Sequence, residues 1–297
     1  MKTGVPFREL VACGSGAAWR DLLVEIYRSA QAEVRNHVPG VPEPHIVYIL
    51  QGTILFEERD PEGEWRRLEV KSGDLFLTTS FAPYEARWKR NGPDPLVALS
   101  VFVGLPLLAE ATRDLLGPGA QVRRLREFSG EADPELARFL DQLRGELSLG
   151  EAASPMLVQG IARALAVHLV RRYGEVPCSR STRSRGLTVF DLHRVDGYLR
   201  SHLDEEVPLA ELAGLAGMSE FHFSRVFKRA AGLSPARYFI RLRMERAREL
   251  LGDPTRNILE VGLEVGYSSA SHFANLFRRE TGLTPTEYRR SLSDAKA

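Results

Sequence analysis

The sequence predicts a multidomain α+β protein: a small N-terminal β-barrel or sandwich, two helices, a linker and an all-α C-terminal domain. Short β-branched and aromatic runs recur at roughly 10-residue spacing from His45 to about Val103. From Pro134 onwards apolar residues recur at helical spacing instead. Near the C-terminus the segment MSEFHFSRVFKRAAGLSPARY is nearly repeated as ASHFANLFRRETGLTPTEY. This repeat indicates that the C-terminal domain contains two copies of one helical unit.

Length and composition are typical of a soluble protein with two hydrophobic cores. The 297 residues are 43% hydrophobic and 27% charged, with a net charge of +1. The two cysteines, Cys13 and Cys178, lie in no CxxC pair, which argues against a disulfide scaffold or a structural zinc. No apolar run has the length of a signal peptide or a membrane span. We therefore expect a cytoplasmic protein with no membrane partner.

The N-terminal β region is divided by turn sequences at residues 60–63, 71–74 and 91–93. Six strands are predicted between and around these turns: HIVYIL, TILFEE, RRLEV, DLFLTT, EARWKR and LVALSVFV. Short strands at this spacing are typical of a small barrel or sandwich. Such a barrel can enclose one small ligand.

Two helices are predicted after the strands, from Pro134 to Tyr173. The second begins at Ser154-Pro155, where Ser154 can accept a hydrogen bond from the first turn. An apolar stripe of Leu157, Ile161 and Leu165 follows. This stripe packs either on a second copy of the chain or on its own β domain. We place the first domain at 1–174, a flexible basic linker at 175–187, and the second domain at 188–297.

The first copy of the repeat is a helix, a turn at Gly217-Met218-Ser219, and a second helix. Ser219 can cap the second helix, whose inward face carries Phe223 and Phe227. Its other face carries five side chains that can project outward: Phe221, His222, Ser224, Arg225 and Lys228. This pattern is typical of a helix-turn-helix with a recognition helix.

The second copy has the same plan, with one extra residue in its turn. Ser269 is its capping residue, and Phe273 and Phe277 match the inward phenylalanines of the first copy. Between the copies, a helix over 236–251 carries five arginines. Residues 219–250 contain eight basic and three acidic residues, which predicts a basic patch for phosphates.

The region from Thr188 to Arg290 resembles the C-terminal domain of AraC/XylS-type transcription regulators. The segments LAGMSEFHFSRVFKRAAGLSPARYFIRLRMERARELL and ILEVGLEVGYSSASHFANLFRRETGLTPTEYRR carry this resemblance. It implies double-stranded DNA as partner, with the two recognition helices in successive major grooves about 34 Å apart. Position by position, it implies base contacts from Phe221, Ser224 and Arg225 in the first helix and from Ala270, Ser271, Ala274 and Asn275 in the second.

The chemistry of these side chains predicts an asymmetric reader. Arg225 can bind a guanine and Asn275 an adenine in bidentate fashion, whereas Ala270 and Ala274 offer only methyl contact. We therefore expect the second helix to discriminate less. Phe221 packs either on a thymine methyl or on another part of the protein. The shared histidines, His222 and His272, we expect to be structural or to contact phosphates.

The N-terminal half resembles the cupin-like sensing domain of the same family, more weakly at the residue level. We expect a small-molecule effector there, with His45, Tyr48 and Trp88 as ligand contacts. The aromatic residues Tyr48 and Trp88, like Phe76 and Tyr84, either line the pocket or fill the core. No metal or other cofactor is expected, because His37 and His45 are too far apart to form an HxH pair. The resemblance also favours a homodimer through Leu157, Ile161 and Leu165, with RNA polymerase as a further partner.

The sequence therefore predicts a sequence-specific transcription regulator, an activator or a repressor, gated by a small molecule. Gating by a protein partner is the first alternative. A cupin-type enzyme fused to a DNA-binding domain is the second, although the chain contains no GxSxG or Walker sequence and we predict no catalytic residues.

Overall fold

The computed structural model describes residues 9–29, 31–38, 40–59, 64–79, 84–118, 120, 124–175 and 186–294. Its residues divide into two compact units, one within Phe7–Val189 and the other within Phe190–Ala297. Most of the linker expected at 175–187 lies outside the described residues. None of the described helices is both long and apolar enough to cross a lipid bilayer.

The N-terminal unit contains two antiparallel sheets. The strands are β1 Glu9–Cys13, β2 Leu22–Ser29, β3 Glu33–Val38, β4 His45–Gln51, β5 Ile54–Arg59, β6 Arg66–Val70, β7 Leu75–Thr78, β8 Tyr84–Arg90, β9 Leu96–Val103, β10 Arg124–Leu125, β11 Phe128–Glu131 and β12 Gly174–Glu175. One sheet has the order β1-β2-β9-β4-β7-β11 and the other β3-β8-β5-β6, while β10 and β12 pair separately. The α+β fold class is confirmed.

The six predicted strands are β4 to β9, and three earlier strands were missed. β2 begins with four consecutive buried residues, so it lacks the polar alternation that identifies a half-exposed strand. β3, with the sequence EVRNHV, is a largely polar edge strand. β1 is also an edge strand and is mostly exposed. Edge strands need little apolar sequence, which hides them from pattern analysis.

Helices cover one face of the six-stranded sheet. They are α1 Leu105–Leu116, α2 Pro134–Ser148 and α3 Pro155–Tyr173. α1 was not predicted, so three helices follow the strands that end with β9, not two. Leu136, Leu140 and Leu143 of α2 pack with Leu165 and Leu169 of α3 and with sheet residues in one core. That core places α3 against its own β domain.

All the regular secondary structure described in the C-terminal unit is helical. Its helices are α4 Val189–Ser201, α5 Leu209–Leu215, α6 Glu220–Ala231, α7 Pro235–Leu251, α8 Ile258–Glu264, α9 Ala270–Thr281 and α10 Pro285–Asp294. α5 and α6 form the first helix-turn-helix, and α8 and α9 the second. α7 packs on helices of both pairs and so joins them within one unit.

Candidate nucleic-acid interface and internal cavity

The first recognition helix, α6, is fixed at its start by a side-chain cap. The Ser219 Oγ accepts a hydrogen bond from the His222 backbone N–H at 3.4 Å. In α9 the Ser269 Oγ accepts the same bond from the His272 N–H at 3.3 Å. Each helix is 12 residues long. The two copies therefore present their outward residues from equivalent starting points.

An aromatic cluster packs against the buried face of each recognition helix. Phe223 lies 5.3 Å from Phe227, and Phe227 lies 5.3 Å from Tyr238 of α7 in edge-to-face contact, measured between ring centroids. Both phenylalanines are fully buried. The second copy repeats these contacts at 5.7 and 5.4 Å with Phe273, Phe277 and Tyr288. Rigid aromatic packing of this kind holds the opposite helix face in a fixed direction.

The turns before the recognition helices are similar but not identical. The Met218 N–H donates to the Ala213 carbonyl at 3.0 Å, and the Tyr267 N–H donates to the Gly262 carbonyl at 2.8 Å. Ser219 follows Met218 directly, whereas Ser268 separates Tyr267 from Ser269. The extra residue predicted for the second turn is therefore Ser268.

The predicted DNA contacts lie at the protein surface. In α6, Phe221 is 82% exposed, although aromatic side chains are usually buried. Of the other predicted contacts, Ala274 and the α6 side chains of His222 and Ser224 are partly buried. The exposed ones are Arg225, Lys228, Ala270, Ser271, His272 and Asn275. Both helices thus present an accessible face opposite the aromatic clusters.

Free positive charge is concentrated on α6 and not on α7. Within the described part of the chain, neither Arg225 nor Lys228 has an ion-pair partner. The arginines of α7 are largely engaged in the protein itself: Arg237 contacts Glu280 at 3.8 Å, Arg241 contacts Glu245 at 3.6 Å, and Arg246 contacts Glu264 at 3.2 Å. The basic patch expected over 219–250 is therefore narrower than its residue count implies.

Arg243 of α7 forms a junction that the sequence did not indicate. Its Nη2 donates to the Glu205 carbonyl at 2.6 Å, and its guanidinium lies 4.3 Å from the Phe239 ring. It also lies 5.2 Å from the ring of Tyr267, in the turn of the second copy. Arg243 therefore connects the residues before α5 to the second helix-turn-helix.

A separate cavity of about 140 Å³ lies between the two sheets of the N-terminal unit. Side chains of β2, β4, β7 and β9 line it from one sheet, and side chains of β3, β5 and β8 from the other. The lining residues are Tyr27, Ser29, Val38, His45, Val47, Ile49, Ile54, Phe56, Phe76, Thr78, Tyr84, Ala86, Trp88, Leu96, Ala98 and Ser100. It is a mostly apolar pocket inside a sheet sandwich.

Several of the cavity's polar groups lie where β4 begins. His45 Nε2 lies 2.8 Å from Ser100 Oγ, and the His45 ring stacks on Phe102 with centroids 4.0 Å apart. Thr78 is the neighbour of His45 on β7 and is hydrogen-bonded to Tyr84. Burial raises the pKa of the Tyr84 phenol, so this group stays neutral at physiological pH.

Of the three predicted ligand contacts, His45 and Trp88 line the cavity but Tyr48 does not. His45, Val47 and Ile49 point to one face of β4, so Tyr48 points to the other. There Tyr48 packs against the core shared with the helices. Its placement in the pocket was wrong, because β4 carries apolar residues on both faces and its sequence does not reveal which face borders the cavity.

The predicted dimer stripe is also only partly exposed. Ile161 is 5% exposed and Leu165 is fully buried, and both belong to the core beneath α3. These two residues pack on their own domain, which was the other possibility. Leu157 is 49% exposed and Met156 is 88% exposed. They line a groove between α2 and α3 together with Phe139, Gln142, Ser154, Gly160, Ile161 and Ala164.

Tandem helix-turn-helix units with capped, outward-facing recognition helices define a DNA-binding domain class. Residues 212–291 match the family model of a helix-turn-helix domain. The MmsAB operon regulatory protein of Pseudomonas aeruginosa is 34% identical over 96 residues, which are 32% of this chain and 30% of that protein. The C-terminal unit of this chain is thus similar in sequence to helix-turn-helix regulators. The chain spans about a third of the length of the curated relatives it matches.

Two solved structures are similar to this chain, one over a part of it and the other over most of it. A transcriptional regulator with an AraC-type DNA-binding domain from Chromobacterium violaceum is 30% identical and covers 35% of this chain and 92% of its own, with a TM-score of 0.33. Apo ToxT from Vibrio cholerae is 11% identical and covers 92% of this chain and 98% of its own, with a TM-score of 0.45.

Proposed function

We propose that this chain is a sequence-specific regulator of transcription that binds double-stranded DNA through α6 and α9. The observation that carries the proposal is the repetition of one architecture. Each recognition helix has a serine cap, a buried aromatic anchor and an accessible outer face. A purely structural helical bundle has no need to repeat an outward face in register. The name of the MmsAB operon regulatory protein supports the same function.

The side chains on the outward faces of α6 and α9 support unequal contributions to base recognition. Arg225 is an exposed fork donor with no ion-pair partner among the described residues, and it suits guanine O6 and N7, while Asn275 suits adenine N6 and N7. Lys228 follows on α6 and suits a phosphate. Ala270 and Ala274 carry no hydrogen-bonding side chain, so α9 has fewer sequence-reading groups. We propose that α6 sets most of the specificity.

A genome-wide footprint of the full chain tests this function. We expect discrete bound sites that share a motif with two elements. The variant Arg225→Ala/Asn275→Ala should keep the fold, because both residues are exposed, and should lose these sites. If the wild type and the variant bind the same genomic fragments and these fragments share no sequence motif, the proposal is wrong.

We further propose that a small molecule in the sheet cavity regulates this cytoplasmic protein. A ligand changes DNA affinity, or contact with RNA polymerase, only as far as it favours one state of the chain over another. His45 and Trp88 are the predicted contacts that line the cavity.

If DNA affinity responds to a bound protein but to no small molecule, the N-terminal unit is a protein-interaction module. For the enzyme alternative, metal analysis of the purified chain should find no stoichiometric metal.

We propose, finally, that the chain forms a homodimer through the groove between α2 and α3. Met156 and Leu157 are exposed apolar residues beside Gly160 and Ala164, whose small side chains allow a second helix to approach closely. Two subunits could then bind paired operator sites.

Charged residues in the groove test the dimer. Met156→Lys/Leu157→Lys should shift sedimentation at micromolar concentration from dimer to monomer, because it buries two unpaired charges in the interface. Leu116→Lys is the matched control, since Leu116 is 51% exposed and lies outside the groove lining. If the wild type sediments as a monomer at every concentration of the series, the dimer proposal is wrong.

A further inference from the structure

We infer that the sheet cavity takes a small, uncharged, mostly apolar ligand that carries a hydrogen-bond acceptor, such as a carbonyl oxygen, for the indole N–H of Trp88. This inference rests on the proposed function, which assigns a ligand to the cavity without giving its chemistry. The unpaired indole, the engagement of the other polar groups, and the size and charge of the cavity each support it.

The cavity lining contains a buried donor, the indole N–H of Trp88. Trp88 borders the cavity, and its Nε1 is buried without a hydrogen-bond partner among the described residues. A buried donor left unpaired costs about 1–3 kcal/mol. An indole N–H can donate a hydrogen bond but has no lone pair with which to accept one. A ligand that relieves this cost must therefore bring an acceptor.

Trp88 lies towards the end of the cavity that Ile49 and Ile54 bound. It packs against the apolar cluster that contains these two isoleucines. Tyr84 begins the same strand, four residues before Trp88, a separation of about 13 Å in extended backbone. The indole is therefore well separated from the polar groups that lie where β4 begins.

The polar groups at the start of β4 already have partners within the protein. His45 Nε2 lies 2.8 Å from Ser100 Oγ. Thr78 is hydrogen-bonded to Tyr84. A ligand therefore gains little from a polar group at this end, and its apolar part can lie there.

The Trp88 end contains further polar side chains on β2. Tyr27 lies level with Ile49, because both residues pair with Ala98 of β9. Ser29 is the next residue of β2 in the cavity lining. The Tyr27 hydroxyl donates to Glu25 Oε2 at 2.5 Å, so its proton is already committed. This end therefore accommodates a polar group of the ligand, and Trp88 supplies the donor for it.

Size and charge restrict the ligand further. The cavity has a volume of about 140 Å³. An engineered apolar cavity of about 150 Å³ in another protein takes up benzene. None of the described residues that line the cavity is a lysine, arginine, aspartate or glutamate, and Arg90, the next residue on the Trp88 face of β8, lies outside the lining. Because a buried ion without a partner is strongly disfavoured, an uncharged acceptor on a one-ring ligand suits the site.

Nuclear magnetic resonance of the full chain with isotope-labelled tryptophan tests the hydrogen bond directly. The chain has three indole N–H groups, those of Trp19, Trp65 and Trp88, and Trp88→Phe identifies the Trp88 signal by its loss. The probes are acetophenone, its hydrocarbon isostere α-methylstyrene, and benzoate. We expect acetophenone to move the Trp88 signal downfield, because the indole proton enters a hydrogen bond, and α-methylstyrene not to reproduce this shift. The Trp65 signal should stay in place, since Trp65 lies outside the cavity lining.

Calorimetry measures what the hydrogen bond contributes to affinity. A hydrocarbon leaves water more readily than a ketone, so the informative quantity is the ratio of the acetophenone affinity to the α-methylstyrene affinity. Trp88→Phe keeps an aromatic ring without the N–H and should lower this ratio about 10-fold. Trp65→Phe is the matched control and should leave the ratio unchanged. Benzoate should bind at least about 10-fold more weakly than acetophenone, because its carboxylate loses water.

A second variant assigns the binding to this cavity. Ala98→Leu fills the space and should abolish both the binding of the two neutral probes and the shift of the indole signal. If Trp88→Phe fails to fold, the downfield shift of an indole signal other than that of Trp65, and its loss in Ala98→Leu, still decide.

A ratio of affinities that Trp88→Phe leaves unchanged would overturn the inference, and so would tighter binding of benzoate than of acetophenone. These results are separate from those for the proposed function, because neither measurement needs DNA. A chain that binds its genomic sites but neither neutral probe keeps the function and loses the inference. A chain that binds acetophenone through Trp88 but no specific DNA does the reverse.

Discussion

At the residue scale, two glycines in equivalent turns have unequal surroundings. Gly217 and Gly266 both have positive φ, 62° and 79°. A Cβ on Gly217 would meet no atom of the described residues within 4 Å. A Cβ on Gly266 would lie 2.5 Å from Arg243 Nη2 and 2.7 Å from the Leu203 carbonyl oxygen. The second turn is thus packed against α7 and the end of α4, and the first is open.

Alanine at each glycine should separate backbone strain from this close packing. Gly217→Ala should cost about 1 kcal/mol of unfolding free energy, from the left-handed backbone alone. Gly266→Ala should cost roughly 2–4 kcal/mol, because its Cβ also clashes with the Leu203 backbone carbonyl and displaces the Arg243 guanidinium. Urea denaturation of the full chain, followed by circular dichroism, measures this. The tryptophans, Trp19, Trp65 and Trp88, report separately on the N-terminal unit. Equal losses of unfolding free energy in the two variants would contradict the close packing of Gly266 against Arg243 and Leu203.

Arg225 and Lys228 should differ in what they contribute to DNA binding. Arg225→Ala should weaken specific operator binding by ~1–3 kcal/mol and leave binding to random DNA nearly unchanged. Lys228→Ala should weaken both by a similar factor and reduce the salt dependence by about one phosphate contact. Titrations on operator and random duplexes at several salt concentrations provide the comparison. An equal loss on both duplexes for Arg225→Ala would refute its base-reading role.

Residue patterns predicted the accessible faces of α6 and α9 but not the junction around Arg243. The faces follow from helical periodicity, since a buried Phe223 or Phe273 fixes where its neighbours on the helix point. The junction joins Glu205, Arg243 and Gly266, which are far apart in sequence. Because no local pattern links them, only the tertiary structure reveals that they meet.

At the element scale, a buried carboxylate holds α2 to α3. Asp133 Oδ1 caps α2 by accepting hydrogen bonds from the N–H groups of Glu135 and Leu136, both at 3.0 Å. Its Oδ2 accepts one from the Tyr173 hydroxyl at 2.6 Å and lies 2.7 Å from His168 Nε2. Burial opposes ionisation, but these hydrogen bonds outweigh it and lower the pKa of Asp133 to about 2.

Acid should therefore weaken the N-terminal unit through Asp133. A carboxylate with a lowered pKa contributes stability that is fully present above its unfolded pKa, about 4, and is lost as the pH falls towards 2. Asp133→Asn should lower the unfolding free energy at neutral pH by about 2 kcal/mol and flatten its fall between about pH 4 and 2. Tryptophan fluorescence during urea denaturation measures both. Asp141→Asn, on the exposed face of α2, should change neither. An unchanged pH dependence in Asp133→Asn would contradict the assignment.

Elements were predictable where one face is clearly buried and less so elsewhere. β4 to β9 carry strong β-forming sequence between clear turns, and the leucines of α2 repeat at helical spacing. β3 is polar, and the start of β2 is buried on both faces, so neither alternates. The same lack of contrast along β4 led to the misplacement of Tyr48. Periodicity separates two faces but does not say what each one packs against.

At the scale of the whole molecule, the proposed DNA-binding surface and the proposed ligand site belong to different compact units. The recognition helices lie within Phe190–Ala297 and the cavity within Phe7–Val189. Changes in the cavity should therefore leave the intrinsic DNA contacts intact and act only on the equilibrium that a ligand shifts. The repeat in the sequence predicted the two helix-turn-helix units well. The cavity emerged only when side chains of seven strands were brought together around one space.

Hydroxyl-radical footprinting of a bound operator tests the paired reader most directly. If α6 and α9 occupy consecutive major grooves, the wild type should protect two backbone segments about one helical turn, roughly 10 base pairs, apart on one side of the duplex. Arg225→Ala should weaken one segment and Asn275→Ala the other, with the larger loss of affinity for Arg225→Ala. One short protected segment, weakened alike by both variants, would show that the two helices do not bind DNA as a pair.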